Sequence, residues 1–411
     1  MRLRKILTLA IKTYYLLKHK GFAYTLAQVA HWLEKNQRTE PRQESLYDYI
    51  SDVDINNPID LTGFQRRTDK NKLVLNWVIP DYGIGSGGHM TIFRTIYFLE
   101  KFGHTCNIFI FGNSQWRNEK IARDIIREHF VQLEAKVYIG LDNIPDSDGI
   151  VATSWQTAYP VFNIRNTKQK FYFVQDFEPM FYPMGSDYIF AENTYRFGFE
   201  CITAGRWLAK KMKDYGNNAD YFDLAYEPDI YKPQKEKEDG KRRVAFYARH
   251  VTPRRGFELG VEALRLVKSR YPNIEIIFYG WPSFHSNIPF EYVNKGILSH
   301  RQLAELYSIS TVGLCISLTN YSLIPQEMMA CKLPVVDVKG DNTLTIFGEE
   351  NKNIYLAEPT PHALANAILE LLTDEDKRQA QIESAYEYVK QFDWEKSVRK
   401  IEAIIKRAFP D

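Results

Sequence analysis

Apolar positions along the chain fall into three regimes. From residue 1 to 36 they recur at helical spacing, with Leu3, Ile6, Leu7, Ala10, Tyr14 and Leu17 on one stripe, which predicts one or two helices. From Asn36 to about Lys72 the periodicity fades and Pro41 and Pro58 interrupt. That stretch reads as a connecting arm with one short helix at Ser45–Ile50. Beyond Lys72, short unbroken apolar runs alternate with helix-length stretches to the end of the chain, the pattern of parallel α/β units.

The first alternation opens with a buried strand over 72–80 (KLVLNWVIP), a Gly-rich turn, a helix over Met90–Phe102 and a strand over Thr105–Phe111. Short strands follow at Ala135–Ile139, Gly149–Thr153, Phe171–Val174 and Cys201–Thr203, with helices over Ala191–Phe197 and Trp207–Tyr215. The proline-punctuated Ala225–Pro233 and the charge run Lys235–Arg243 mark a domain boundary. A second alternation begins at once. Strands are expected at Arg243–Ala248, Ile274–Tyr279, Val312–Ile316, Pro334–Asp337 and Ile354–Leu356. Helices are expected at Phe257–Tyr271, Gln302–Ser308, Pro325–Cys331 and His362–Leu372, then a long helical tail. The expected architecture is two doubly wound, Rossmann-like α/β domains facing across a cleft, over 71–233 and 234–390. Residues 1–70 form an N-terminal extension, and 391–411 a C-terminal helix.

Composition narrows this little. The 411 residues are 45 % hydrophobic and 25 % charged with a net charge of +2, a globular composition without the basic excess of a nucleic-acid binder. Cys106, Cys201, Cys315 and Cys331 are scattered without metal or redox spacing, and suit buried free thiols in a reducing cytoplasm. No signal peptide is read at the N-terminus and no apolar run reaches 18 residues. Arg2, Arg4, Lys5, Lys12, Lys18 and Lys20 precede the first acid, Glu34. Residues 1–35 therefore suit either a helix lying on the inner face of an anionic membrane or one packed on the protein with a solvated basic face.

Candidate chemistry gathers at the carboxyl ends of strands, where open α/β sheets bind ligands. In the first unit these are Gly87, Gly88 and His89, then Trp155, then Asp176 and Glu178. The acids are candidates for hydroxyl binding or base work. Gly83, Gly85 and Gly88 spell G-x-G-x-x-G, but no acid follows the second strand to hold a ribose, which argues against a dinucleotide dehydrogenase. In the second unit, Arg249 ends the first strand, with Arg254 and Arg255 before Gly256. Gly280 ends the next, Leu298 and Ser299 precede a helix, and Ser317–Glu327 forms strand, polar loop and helix N-terminus. Guanidinium forks suit a pyrophosphate, completed by the amides of Tyr321, Ser322 and Leu323 at the helix start. Glu327, one turn in, suits a ribose hydroxyl.

Arg249…Arg255-Gly256, the Ser317 loop, Pro325-x-Glu327-x-Met329-Ala330-Cys331-x-Leu333-Pro334-Val335-Val336 and the late Phe392-Asp393-Trp394-Glu395 resemble the donor-binding half of GT-B glycosyltransferases of family 4. The segments Val174–Tyr182 and Ala248–Leu259 resemble bacterial rhamnan and S-layer-glycan rhamnosyltransferases. The resemblance implies a retaining, metal-independent transfer of L-rhamnose from dTDP-β-L-rhamnose onto a cell-surface glycan, with no cofactor. The acceptor glycan would be free or lipid-linked. It makes Arg249 and Arg254 or Arg255 the diphosphate ligands, with Asp176 and Glu178 at the acceptor or the developing positive charge. It implies a final helix crossing back to the first domain. The chain departs from the pattern at Thr319, where an acid is expected, at Lys332, where a glycine is expected, and in one extra residue before the arginine pair. A GT-B sugar-nucleotide epimerase and a non-catalytic sugar-nucleotide-binding subunit share the architecture.

Overall fold

The structure, a computed structural model, describes residues 46–234, 240–284, 287–348 and 351–409. The basic helices expected over 1–36 lie outside the described residues. A short helix, Leu46–Ser51, opens the described chain. The arm that follows is tied to the first sheet at Asp148, 2 % exposed. Its Oδ1 accepts from Arg66 Nε at 3.2 Å and Thr68 Oγ1 at 2.9 Å, and its Oδ2 from the Val74 amide at 2.8 Å.

Two parallel sheets follow. The first holds β1 (Val74–Pro80), β2 (Thr105–Phe111), β3 (Lys136–Ile139), β4 (Ser147–Ala152), β5 (Thr167–Val174), β6 (Glu200–Ala204) and β7 (Ala219–Phe222). Their order is β3-β2-β1-β4-β5-β6-β7, all parallel. The second holds β8 (Arg243–Tyr247), β9 (Glu275–Tyr279), β10 (Val293–Asn294), β11 (Val312–Leu314), β12 (Val335–Val338) and β13 (Tyr355–Ala357). Its order is β10-β9-β8-β11-β12-β13, again all parallel. In both sheets the strand order reverses beside the first strand, at β1/β4 and at β8/β11. At such a switch point neighbouring loops diverge and leave a crevice outside the strand ends.

The central strands are apolar because helices cover both faces. Leu75, Trp77, Val78, Ile79 and Phe173 in the first sheet, and Val244, Phe246, Leu314 and Val336 in the second, are fully buried. One apolar cluster runs from Trp77 and Phe173 through Tyr321, Met328 and Met329 to Trp394 and Ile401, so the two units share continuous packing. A second cluster around Phe246, Leu264 and Ile368 fills the far layer of the second unit. The last helix, Trp394–Arg407, lies on the first unit. Glu402 Oε1 is 3.1 Å from His104 Nε2, Ser397 Oγ donates to Asp223 O at 2.7 Å, and Arg399 stacks on Phe102 at 3.4 Å.

Several elements differ from the sequence expectation. The first helix runs Gly87–Lys101, three residues earlier than read, so Gly87, Gly88 and His89 form its first turn instead of a preceding loop. Trp155–Asn163 is a helix despite Pro160, started by a Ser154–Thr157 capping box. The expected tail is two helices, Glu375–Val389 and Trp394–Arg407, separated at Asp393, whose side chain caps the second. The helix Glu119–His129 and the strands β7 and β10 have no counterpart in the sequence reading.

Candidate functional site

The carboxyl ends of the two sheets face each other, and named contacts cross between them. Asn320, in the loop after β11, donates through Nδ2 to Gln175 O at 3.0 Å and Ala204 O at 3.1 Å, the exits of β5 and β6. Tyr321 Oη accepts the Leu224 amide at 3.1 Å. Gly205 lies directly over the Tyr321 ring: an added Cβ would sit 2.6 Å from Cε1, and its φ of 92° belongs to glycine. Tyr321 is 4 % exposed. Its side chain therefore packs between the units, and only its backbone is left for the donor role that the sequence suggests.

The same loop is braced from below by Asp337 of β12. Its carboxylate accepts the Ser317 amide at 2.9 Å, the Ser317 hydroxyl at 2.7 Å and the Val338 amide at 2.7 Å. Burial pushes the Asp337 carboxyl up to about 7 against these hydrogen bonds and the Arg255 charge. Asn342 Nδ2 holds Ser317 O at 2.8 Å. Ser322 Oγ lies 3.3 Å from the Ile324 amide at the start of the helix Ile324–Ala330, with Leu323 at its N-cap. Lys332, where the family pattern has glycine, still takes a left-handed φ of 60°. The strain, about 1–2 kcal/mol, is partly offset by its ammonium 5.1 Å over Tyr386.

Opposite lies the loop after β8. Pro253–Arg255 forms one 3₁₀ turn closed by Gly256 at φ 52°, ψ 41°. That turn gathers Arg249, Arg254 and Arg255. Arg249 sits 5.8 Å from the Trp281 ring centre and Arg255 5.9 Å from that of Tyr247. The Nε groups of Arg249 and Arg254 are buried without a hydrogen-bond partner. Burial lowers the Arg254 pKa, and the neighbouring Arg255 and Arg249 charges lower it further against the pull of Asp176. The acids near these three guanidinium groups, Asp176 and, beside Arg255, Asp337, are both pushed toward neutrality by burial. Three guanidinium groups face these two acids, an excess of positive charge that an anion would relieve.

Asp176 comes from the exit of β5 in the other unit. Its Oδ2 is 3.3 Å from Arg254 Nε, without hydrogen-bond alignment, and Arg254 stacks 4.2 Å over Phe181. Asp176 Oδ1 accepts the Phe177 amide at 2.9 Å, and the Thr319 hydroxyl of the second unit lies near enough to favour the charged carboxylate. Burial raises its pKa against Arg254, Thr319 and Arg255. The position that lacks the expected acid thus lies near an acid supplied across the cleft.

The other candidates have structural partners of their own. Glu178 is 7 % exposed and its Oε2 accepts the Trp155 amide at 2.7 Å, so it caps a helix; burial pushes it up to about 8. Trp155 is 4 % exposed with Nε1 on Tyr182 Oη at 3.0 Å, a core residue and not a cleft ring. His89 is turned back onto its own loop: Nδ1 meets Ser86 Oγ at 2.8 Å and Nε2 meets Pro80 O at 3.1 Å. Burial lowers its pKa, so it is neutral near pH 7. Gly87 and Gly88 are exposed, Gly88 facing the Gln175 amide. Ser299 is engaged in a capping box with Gln302, through both its hydroxyl and its amide. Gly280 packs on the Tyr247 ring, and its amide donates to Gly296 O at 2.8 Å. Leu298 is half-buried.

Glu327 is 7 % exposed and belongs to a polar cluster between the units. The Tyr231 hydroxyl, which meets His300 Nδ1 at 2.7 Å, lies near enough to favour its charged form. Arg94, paired with Glu227 and 4.4 Å over the Trp394 ring, brings positive charge from the first unit. Burial pushes Glu327 up to about 7, opposed by Tyr231 and Arg94. Sequence reasoning missed Asp337, Asn320 and Arg94. Asp337 sits in an otherwise apolar four-residue strand, where an acid is unexpected unless it holds something.

Residues 242–369 match the family "WsaF, C-terminal domain" and 129–204 match "WsaF, N-terminal domain". The O-antigen biosynthesis protein RfbC of Myxococcus xanthus is 32 % identical over 265 residues, which is 63 % of this chain and 20 % of that protein. The chain thus spans about a fifth of the length of that relative. Anabaena HepE in complex with UDP-glucose superposes with a TM-score of 0.62 at 14 % identity, covering 82 % of this chain and 100 % of the other. A TarM variant of S. aureus, in complex with fondaparinux, alpha-GlcNAc-glycerol and UDP, gives 0.64 at 11 % identity, covering 81 % and 99 %. With its two parallel sheets and opposed switch points, the chain has the two-domain, Rossmann-like GT-B fold.

Proposed function

We propose that the chain is a glycosyltransferase of cell-surface glycan assembly that takes a nucleotide-sugar donor in the cleft between its two units. The observation that carries this is the loop of Arg249, Arg254 and Arg255, set at the second sheet's switch point and facing Asp176. Orphaned buried Nε groups and like charges crowded together suit a diphosphate better than a neutral ligand. The similarity to an O-antigen biosynthesis protein, and a fold seen elsewhere with UDP-glucose or UDP bound, support the same reading.

Within it, the charge growing on the departing diphosphate is stabilised by the arginines instead of a divalent ion. Transfer proceeds with retention: the acceptor hydroxyl attacks on the face the diphosphate leaves, and the leaving phosphate takes the proton. Glu327 binds the ribose after yielding its Tyr231 contact. The transferred sugar is L-rhamnose from dTDP-β-L-rhamnose, for which Thr319 in place of an acid is suited. Residues 1–35, through their basic face, hold the protein to an anionic membrane surface beside a lipid-linked acceptor. Among the described residues no helix is long and apolar enough to cross a membrane.

The test is transfer from dTDP-β-L-rhamnose to a rhamnan-type acceptor in the presence of EDTA, with the product anomer assigned by NMR. A new bond whose anomeric configuration is opposite to the donor's would sink the retaining reading. Dependence on Mg²⁺ would overturn the arginine-only stabilisation. Conversion of free donor without an acceptor would point to an epimerase.

A further inference from the structure

Among the described residues, Asp176 is the carboxylate ion-paired with the arginine turn, and it comes from the other unit. We propose that Asp176 is a built-in stand-in for the ligand's anion: in the empty cleft it holds Arg254, and a bound diphosphate must take Arg254 away from it. This rests on the reading of the arginine turn as a diphosphate site.

Four observations carry it. The contact joins the two units, Oδ2 lying 3.3 Å from Arg254 Nε. The pair is poorly aligned, since Arg254 Nε makes no hydrogen bond although buried; a phosphate oxygen could improve on it. Burial disfavours the charge on both partners, as expected of an ion pair short of hydrogen bonds. Finally, Asp176 does not depend on Arg254 for its place. The Phe177 amide holds the carboxylate, and Asn320 pins the adjacent Gln175 carbonyl. Losing Arg254 to a ligand therefore leaves Asp176 in position, with Oδ2 free.

The arrangement has an unusual sign. Removing an acid from the rim of an anion site removes repulsion as well as an internal competitor, so affinity rises. A purely structural aspartate would lower affinity or leave it alone when replaced.

The experiment is calorimetric titration of the full chain with inorganic pyrophosphate, which tests the arginine turn without assuming a base or sugar. Asp176→Asn is expected to bind pyrophosphate roughly tenfold more tightly than wild type, and most of that gain is expected to be lost in the Arg254→Ala background, where only the relief of repulsion remains. Asp176→Ser, also uncharged, guards against a folding defect in the first variant, and thermal melts monitor both. Unchanged or weaker binding by both variants, with wild type binding normally, overturns the competition while leaving the diphosphate site standing. A gain that persists undiminished without Arg254 also overturns it, because the acid would then act by repulsion alone and not by competing for that guanidinium. Absence of pyrophosphate binding in every variant overturns the diphosphate site itself and the proposal with it.

Discussion

Gly256 closes the turn that carries the arginines, and replacing it tests whether that turn is as tightly fixed as the contacts imply. At φ 52°, ψ 41° the residue is left-handed, which costs about 1–2 kcal/mol for a residue with a Cβ. An added Cβ would lie 2.6 Å from Ile316 Cγ2. Ile316 is 1 % exposed at the exit of β11, so its methyl has nowhere to go. Overpacking of that kind costs about 1–3 kcal/mol. Gly256→Ala should therefore destabilise by about 2–5 kcal/mol in urea unfolding. Gly256→Asn separates the two causes: asparagine tolerates the left-handed backbone but keeps the Cβ, so most of the steric loss should remain. In a double-mutant cycle with Ile316→Ala, the second substitution should recover about 1–3 kcal/mol of the Gly256→Ala loss. A Gly256→Ala variant within about 0.5 kcal/mol of wild type, or strict additivity with Ile316→Ala, would refute the reasoning. The turn and β11 would then not be in the contact described.

Other substitutions probe the brace and the contacts between the units. Tyr321→Phe leaves the buried Leu224 amide without its acceptor and should cost about 1–3 kcal/mol in urea unfolding; a neutral result would mean that the units are not closed as described. Asp337→Ala strands the Ser317 amide and hydroxyl and should cost at least as much, with donor affinity falling alongside; loss of stability with donor affinity intact would separate the brace from the site. Asp337, Glu327 and Glu178 all have carboxyls raised by burial, to about 7, 7 and 8. A raised carboxyl contributes stability that is full below its unfolded value and lost as pH climbs through the folded one. His89, His104 and His300 are lowered by burial and act in the opposite sense on the acid side, below about pH 6.5. Urea midpoints should therefore fall between about pH 6.5 and pH 8, with a shallower slope in Asp337→Asn and Glu327→Gln; a flat or rising profile would show that these acids are not buried as described.

Much of the framework was legible because buried parallel strands are continuous apolar runs. The β2 strand, Thr105–Phe111, is read from sequence with the bounds that the structure gives, and Pro325 and Gly256 punctuate their helices where a chain must turn. The failures have local causes. Pro160 argues against a helix until the Ser154–Thr157 box is recognised. The two-residue β10 is too short for any period to show. For the site, residue type and strand-end position marked Arg249, Arg254 and Asp176, and only the family resemblance marked Thr319. Their meeting is tertiary and had no sequence signal, because Asp176 and Thr319 are far apart in the chain and in different units. The same holds for Trp155 and Glu178, whose placement at strand ends looks functional until their partners prove to be each other.

The central claim is that the crevice between the two switch points holds a nucleotide diphosphate sugar on its arginines. The most direct measurement is calorimetric titration of the full chain against a panel that includes dTDP-β-L-rhamnose, UDP-glucose and their free nucleotides, repeated with Arg249→Ala and Arg254→Ala. The account predicts saturable, one-to-one binding of at least one nucleotide sugar and of its nucleotide diphosphate. Each arginine variant should weaken both by about 1.5–3 kcal/mol, the worth of one hydrogen-bonded charged contact. Binding that is indifferent to both arginines, or no binding across the panel, would contradict it.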